Sequence, residues 1–500
     1  MIGLAVTALL ALSPDEVKEI KLKNGMVWLV VERPQAPVFT GFVRVRVGGL
    51  DEEVGQTGLA HLFEHMAFKG TPMLGTKDFE KEKPLLEQIA TVGDQIAVLE
   101  RAGKPSTAER AKLAELSAKA KALTDENALA KLYQLNGGVG LNATTDKDVT
   151  SYFVSLPKNR LELWLTVEAQ RLCSPVLRDF YTERDVVQEE RRMSIESSPG
   201  GALYEELNQV AFTTSPYRWP VVGYTDDLQA MSMRAADAFH RKYYVPSNAV
   251  GALVGDVKAA EVQKLLEKTF GQIPAGQSPP APVFAESPKR AARRSTVTFD
   301  ASPRVFVAFH KPNAPHPDDY VFDLIEVVLS EGRTGRLHKR LVLKDRLAQS
   351  AGAFGAPGSR LPNLFAIAVT PMAGVSNEKI EAAIWEELEK LKTEAVTEQE
   401  LEKAKNRLTL NVARSTESNS GLASTLSLYQ TLFGDWRYVL DHSKVVAALT
   451  ADDVKKVAAT YFRREGSVTV DLRRDAPAPA PTEKTAPEKP ADKPKSKGAP

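Results

Sequence analysis

Hydrophobic positions along the first part of the chain switch from a period of two to a helical period. Residues 19–32 (EIKLKNGMVWLVVE) alternate, break at Asn24-Gly25 and resume as an apolar run, the pattern of a β-hairpin. Residues 38–47 (VFTGFVRVRV) predict another strand, with Arg44 and Arg46 on one face, valines on the other and Gly48-Gly49 at its end. Leu59, Leu62, Phe63 and Met66 then recur three and four apart, predicting a core-facing helix with Thr57 as its N-cap and Gly70-Thr71-Pro72 as its stop.

The stretch 77–135 differs in character, being rich in Ala, Lys, Glu and Leu and broken at Gly103-Lys104-Pro105, with Ser106 or Thr107 as the next cap. It predicts two antiparallel helices projecting as a solvated insertion, with a docking arm as the sharper alternative. Beyond it, 137–157 reads as a glycine-rich entry into two strands, 161–171 and 180–194 as helices, 235–244 as a helix stopped by Pro246, 249–254 as a buried strand and 258–270 as a helix. Residues 277–294 (QSPPAPVFAESPKRAARR) are proline-rich, then basic, and mark a linker. The pattern then restarts: strands at 296–309, 366–370 and 467–472, helices at 320–329, 336–346, 377–392, 398–414, 421–432 and 451–461.

Two halves with similar strand-helix order predict an α+β fold made of a duplicated domain. The division is a signal-like segment at 1–16, a first domain at 17–274 with its insertion at about 77–135, a linker at 275–295, a second domain at 296–473 and a Pro/Ala/Lys tail at 474–500. The tail lacks the apolar content to fold and is expected to be disordered.

Composition narrows the function only by exclusion. A length of 500 residues exceeds one core, and a formal net charge of +1 gives no reason to expect a nucleic-acid partner. The basic clusters at 289–294 and 492–497 lack interleaved aromatics and read as solvated. One cysteine, Cys173, rules out an internal disulfide framework and is read as a packed small residue. The apolar run 1–12 is too short to span a bilayer and looks like the core of a secretory signal without its basic start; the alternative is a buried first strand. A periplasmic or secreted location is the expectation, with the cytoplasm left open.

The chemistry concentrates in His61-Leu62-Phe63-Glu64-His65. Histidines four apart on a helix lie one turn apart on the same face, about 5–6 Å between Cβ atoms, which suits two ligands of one metal ion. Glu64 stands beside the second histidine, placed to hold and deprotonate a water. The order H-x-x-E-H is the inverzincin signature. A catalytic zinc takes three protein ligands, and Glu183 or Glu190, seven apart on one predicted helix, is the expected third, other carboxylates remaining open. Of the other histidines, His240 reads as a surface or capping residue, and His310, His316, His338 and His442 show no ligand spacing.

HLFEHMAFKGT (61–71), GLNATTDKDVTSYF (140–153) and ERDVVQEE (183–190) together resemble the pitrilysin-type zinc peptidases, which include mitochondrial processing peptidase and insulin-degrading enzyme. The resemblance runs on through SPYRWPVVGY and YYVPSNAVGALVGDV and is weaker in the second half. It implies two homologous α/β-roll domains, one Zn2+ held by His61, His65 and Glu190, Glu64 as general base, and Glu183 orienting a ligand. It also implies an edge strand near 140–144 that pairs with an extended peptide, with Asn142 as a substrate contact and a turn or strand-edge role as its alternative.

Two departures stand out. The gap between the histidines and Glu190 is longer than in the family, and the 77–135 insertion accounts for the excess. Active single-chain relatives carry an Arg and a Tyr seven apart in their later half. The corresponding segment here, 341–349 (LVLKDRLAQ), puts Val342 and Gln349 at those positions, with Arg340 and Arg346 on other helical faces. The resemblance therefore implies a zinc endopeptidase subunit acting on extended or unfolded peptides, in a heterodimer whose homologous partner supplies the Arg/Tyr pair. The alternative is a non-catalytic scaffold or an inactive zinc-binding subunit.

Overall fold

A computed structural model describes residues 12–284, 286 and 291–474. The signal-like run through residue 11 and the tail from residue 475 lie outside the described residues.

The first half carries a six-stranded sheet, made of β1 (Val17–Lys21), β2 (Val27–Glu32), β3 (Val38–Val45), β4 (Val139–Thr145), β5 (Thr150–Pro157) and β6 (Ala249–Gly255), in the order β1-β2-β6-β3-β5-β4. The second half carries β7 (Arg293–Thr298), β8 (Arg304–Lys311), β9 (Ala348–Ala356), β10 (Asn363–Pro371) and β11 (Ser467–Arg473), in the order β7-β11-β8-β10-β9. Without β1 the two orders superimpose: β2 onto β7, β6 onto β11, β3 onto β8, β5 onto β10 and β4 onto β9. Pairing directions agree as well, since β2 runs parallel to β6 and β7 parallel to β11, and the remaining neighbours are antiparallel. The chain is an α+β protein of two homologous domains.

The central strands of each sheet are buried on both faces, and a helix from the other half covers one of them. Leu422, Ala423 and Leu426 of helix Asn419–Phe433, with Trp436, pack on Val17, Leu29, Val31, Phe42, Ala252 and Val254 of the first sheet. In return Leu203, Leu207 and Ala211 of helix Pro199–Ala211 pack on Ala308, Leu364, Ala366, Val468 and Val470 of the second. This exchange explains why β6 (AVGALVG) is an unbroken small-and-apolar run with every residue buried: a strand with no solvent face has no reason to alternate.

Most expected elements form within a few residues. The insertion gives helices Phe79–Arg101 and Thr107–Leu123, followed by a third short helix, Ala128–Leu135. The periodicity reading passed over helices Pro199–Ala211 and Tyr438–Ala448 and strand β9. The β9 sequence, AQSAGAFGA, has few of the branched side chains that mark a strand. Cys173 is exposed rather than packed, because it ends helix Leu161–Cys173 on its open side.

Candidate metal centre and cleft

The helix Leu59–Met66 carries the histidine motif and buries its apolar stripe completely; Leu59, Leu62, Phe63 and Met66 are at most 1% exposed. His61, Glu64 and His65 stand half-buried on the opposite face. The helix starts differently from the expectation. Gly58, not Thr57, holds the cap position, at φ +90°, and a Cβ there would sit 2.6 Å from the Val222 carbonyl oxygen. The Thr57 hydroxyl donates to Asp227 (2.5 Å) and accepts from the Tyr224 amide (2.9 Å). The open amides of the first turn go to Glu52, whose carboxylate accepts from Gly58 N at 3.0 Å and Ala60 N at 2.8 Å. Glu52 is buried, and burial pushes its carboxyl up to about 8, against the pull of those amides. A cap placed six and eight residues upstream of its amides leaves no short-range motif to find.

Helix Phe180–Arg191 lies alongside and presents Glu183 and Glu190 on one face. His61 Nε2 is 3.7 Å from Glu190 Oε1, and His65 Nε2 is 3.7 Å from Glu190 Oε2. One ligand atom from each of the three residues lies within 4.8 Å of the others. A tetrahedral zinc with bonds of about 2.0–2.1 Å holds its donor atoms roughly 3.3 Å apart, so two imidazole nitrogens and a carboxylate at this spacing fit such an ion with small adjustments. Among the described residues this is the one His/Cys/Asp/Glu group of that kind. Glu183 stands off it: its Oε2 faces His65 Nδ1 at 3.5 Å, and its Oε1 accepts from Lys69.

Burial, then the neighbouring His65, pushes His61 down to about 4, so its ring is neutral at pH 7. Contact with Glu183 raises His65 against the opposing effect of burial. Contact with His65 lowers Glu183, with Lys69 adding to it. Burial raises Glu64, opposed by the Thr145 hydroxyl at the end of β4. A carboxyl held above its ordinary value by burial suits a proton acceptor that must later give its proton back.

The frame around the site is tied by buried arginines. Arg191, next to Glu190, donates to the Gly223 carbonyl at 2.8 Å and pairs with Glu205 at 3.1 Å, fixing the helix end to the loop that abuts Gly58. Arg178 donates to the carbonyls of Lys69 (2.8 Å) and Thr71 (2.9 Å) and pairs with Glu82 at 2.7 Å. A π-helical turn, Arg192–Glu196, follows the glutamate helix directly, a distortion frequent at functional sites. His240 is buried, not on the surface: it stacks on Phe63 at 5.1 Å and its Nε2 meets the Leu172 carbonyl at 2.8 Å, supporting the histidine helix from behind.

Beside the centre opens a cavity of about 540 Å³. Glu64, His65, Asn142 and Glu183 line one side; Lys121, Asp125, Glu126 and Asn127, from the end of the inserted hairpin, line the other. The insertion is therefore more than a projecting solvated arm. Leu86, Ile89, Leu116 and Ala120 pack with Val176, and Glu82 meets Arg178, which fixes its base as a cleft wall. The remaining border is β4, an edge strand hydrogen-bonded only to β5, on which Asn142 is exposed just after a register shift.

Comparison with known proteins agrees with this architecture. Residues 28–94 and 115–223 match the family model described as insulinase (peptidase family M16), and residues 231–408 match the peptidase M16 inactive domain. The chain belongs to the M16 family, the pitrilysin-type peptidases. The segment between the two matched stretches, 95–114, is the tip of the hairpin. The zinc protease PqqE of Helicobacter pylori is 28% identical over 91% of this chain and 92% of its own. An uncharacterized zinc protease of Streptomyces coelicolor is 22% identical over 91% and 89%. A crystal structure of a protease from Helicobacter pylori aligns with a TM-score of 0.78 at 27% identity, over 91% of this chain and 99% of that one. The periplasmic protease PqqL of Escherichia coli shares the fold, with a TM-score of 0.69 at 15% identity, over 93% of this chain but 48% of that one.

Proposed function

We propose that this chain is the zinc-bearing subunit of a two-chain endopeptidase that cleaves extended or unfolded peptides. The observation that carries the reading is the convergence of His61, His65 and Glu190 within 4.8 Å, with Glu64 on the same helix face and an open strand edge beside it. His61 and His65 offer Nε2 and Glu190 a carboxylate oxygen as ligands, and Glu183 orients His65 from its other nitrogen. When bound, zinc supplies Lewis acidity for the scissile carbonyl and acidifies water. Glu64 takes the proton of the attacking water and returns it to the leaving amine. The free edge of β4 hydrogen-bonds the substrate backbone, and Asn142 reaches its side chains or carbonyls, which selects extended peptides over folded proteins.

The partner rests on what the second half lacks. Val342 packs against that half's core and Gln349 is exposed on β9, so neither offers an Arg or a Tyr to a substrate. Arg340 is held by Asp345 at 3.2 Å and Glu387 at 2.9 Å, with Glu386 as a third partner. The match to about half of the PqqL chain supports a two-chain assembly, in which a homologous subunit fills the other half. PqqL of Escherichia coli is periplasmic, which supports a periplasmic or secreted location for this chain. No helix among the described residues is long and apolar enough to cross a membrane.

The second reading is a zinc-binding subunit without activity, favoured by the inactive-domain description matched at 231–408. Cleavage of an internally quenched peptide by the chain alone, and with a co-purified homologous chain carrying the Arg/Tyr pair, separates the two. Turnover that appears only with the partner is expected. Full activity of the chain alone overturns the partner, and none in either form leaves the inactive subunit.

A further inference from the structure

A loop between β9 and β10 carries the second half to the segment that precedes the histidine helix. Arg360 enters the first half and grips Asp51 with two nitrogens, Nη1 to Oδ2 at 2.7 Å and Nη2 to Oδ1 at 3.1 Å. Both side chains are buried, at 5% and 4% exposure, so this pair is shielded from water and salt. The loop backbone is fixed as tightly: the amides of Arg360 and Leu361 donate to the Tyr217 hydroxyl at 3.0 and 3.1 Å, and that hydroxyl donates to Asp148 at 2.7 Å. Gly358 lies so close to this cluster that a Cβ would fall 2.5 Å from the Tyr217 hydroxyl. The residue after Asp51 is Glu52, the carboxylate that holds the amides of Gly58 and Ala60 at the start of the histidine helix. Ala60 directly precedes His61.

We propose that Arg360 is a positioning residue for the metal helix: by clamping Asp51 it holds Glu52 on the helix N-terminus, so the half without ligands sets the register and metal affinity of the half that has them. This rests on the zinc reading above for its effect on metal, but not for its effect on the helix. A guanidinium that bonds both oxygens of a buried carboxylate fixes its direction as well as its distance. Backbone bonds of Gly49 and Leu50 to Asp146 and Lys147, and the Tyr243 hydroxyl on the Asp51 carbonyl, place the 49–52 segment, and the clamp adds the tie from the second half that fixes the Asp51 side chain beside Glu52.

Two measurements on the full-length chain test it. Amide hydrogen exchange at residues 58–62 without metal reports the helix start, and chelator competition reports zinc affinity. Arg360→Ala is expected to speed exchange there by about tenfold or more and to weaken zinc by roughly tenfold. Arg360→Lys, which keeps the charge, recovers part of both. Arg33→Ala is the control: it removes a different link between the halves, from Arg33 to the Glu417 and Thr416 carbonyls at 2.9 and 3.1 Å, and leaves exchange at 58–62 and zinc affinity unchanged. Should Arg360→Ala fail to fold, Asp51→Asn, which weakens the clamp at equal size, is read the same way. Faster exchange in a chain whose wild type binds no zinc keeps the clamp and overturns the zinc reading. Unchanged exchange and affinity in a folded Arg360→Ala or Asp51→Asn chain overturn the clamp, as does an equal effect from Arg33→Ala.

Discussion

His65 and Glu183 face each other at 3.5 Å, Nδ1 to Oε2, while the same ring turns its Nε2 to Glu190 at 3.7 Å. A carboxylate on one ring nitrogen keeps the proton there and leaves the other lone pair free for a metal. Glu183 sits 17% exposed and is itself held by Lys69, so its direction is fixed. Glu183→Ala is expected to lower zinc affinity about 10- to 100-fold without unfolding the chain, as read by competition with a calibrated chelator. An unchanged affinity would remove Glu183 from the site.

The exchange of covering helices between the halves has a consequence for stability. Leu426 belongs to the second half yet is fully buried in the core over the first sheet. Leu426→Ala is expected to cost roughly 2–5 kcal/mol in urea denaturation. For the same reason a fragment of residues 12–274 lacks a cover for its sheet and should not unfold cooperatively. A sharp two-state transition in that fragment would show that the halves are independent.

Asp148 makes part of the folding energy depend on pH. Burial raises its carboxyl from the ordinary 3.8 to about 6, against the Tyr217 hydroxyl and the Ser359 amide. The folded chain thus holds a proton that the unfolded chain has released. This contribution is complete below the unfolded value, near 3.8, and is lost as pH rises through about 6. Against an Asp148→Asn variant, the wild type should lose roughly 2 kcal/mol between pH 4 and 7, measured as the difference of two denaturation series. A flat difference would mean that the carboxyl is already ionised at pH 4.

The hairpin end gives the cleft an acidic wall, with Asp125 and Glu126 against Lys121. Lys121→Glu is expected to lower KM for peptides carrying Lys or Arg near the scissile bond and to raise it for acidic ones, by roughly fivefold, the equivalent of about 1 kcal/mol. Zinc affinity should stay unchanged. Identical selectivity in the variant would place the substrate elsewhere.

Much of this was legible in the chain because it is written at short range. His61, Glu64 and His65 share one helical turn, Glu183 and Glu190 two turns of another, and the sheet strands of the first half alternate or run apolar as their burial requires. Long-range contacts were not legible. Glu52 caps a helix that it precedes by several residues, and Arg360 meets Asp51 across more than three hundred positions, 309 in all. His240 looked like a surface residue because its own helix is charged, and only the packing of Phe63 places it in the core. Strand β9 escaped because alanine and glycine fill it, and its place follows from pairing with β10 rather than from its composition.

The most direct test is Glu64→Gln, made in this chain and assayed with the proposed homologous partner. The substitution keeps size and leaves His61, His65 and Glu190 untouched. The expected result is zinc at wild-type stoichiometry, with peptide cleavage reduced by about 10²- to 10⁴-fold. A variant that keeps its zinc and cleaves at the wild-type rate would contradict Glu64 as the base, and with it the peptidase site built around the His61–His65 helix.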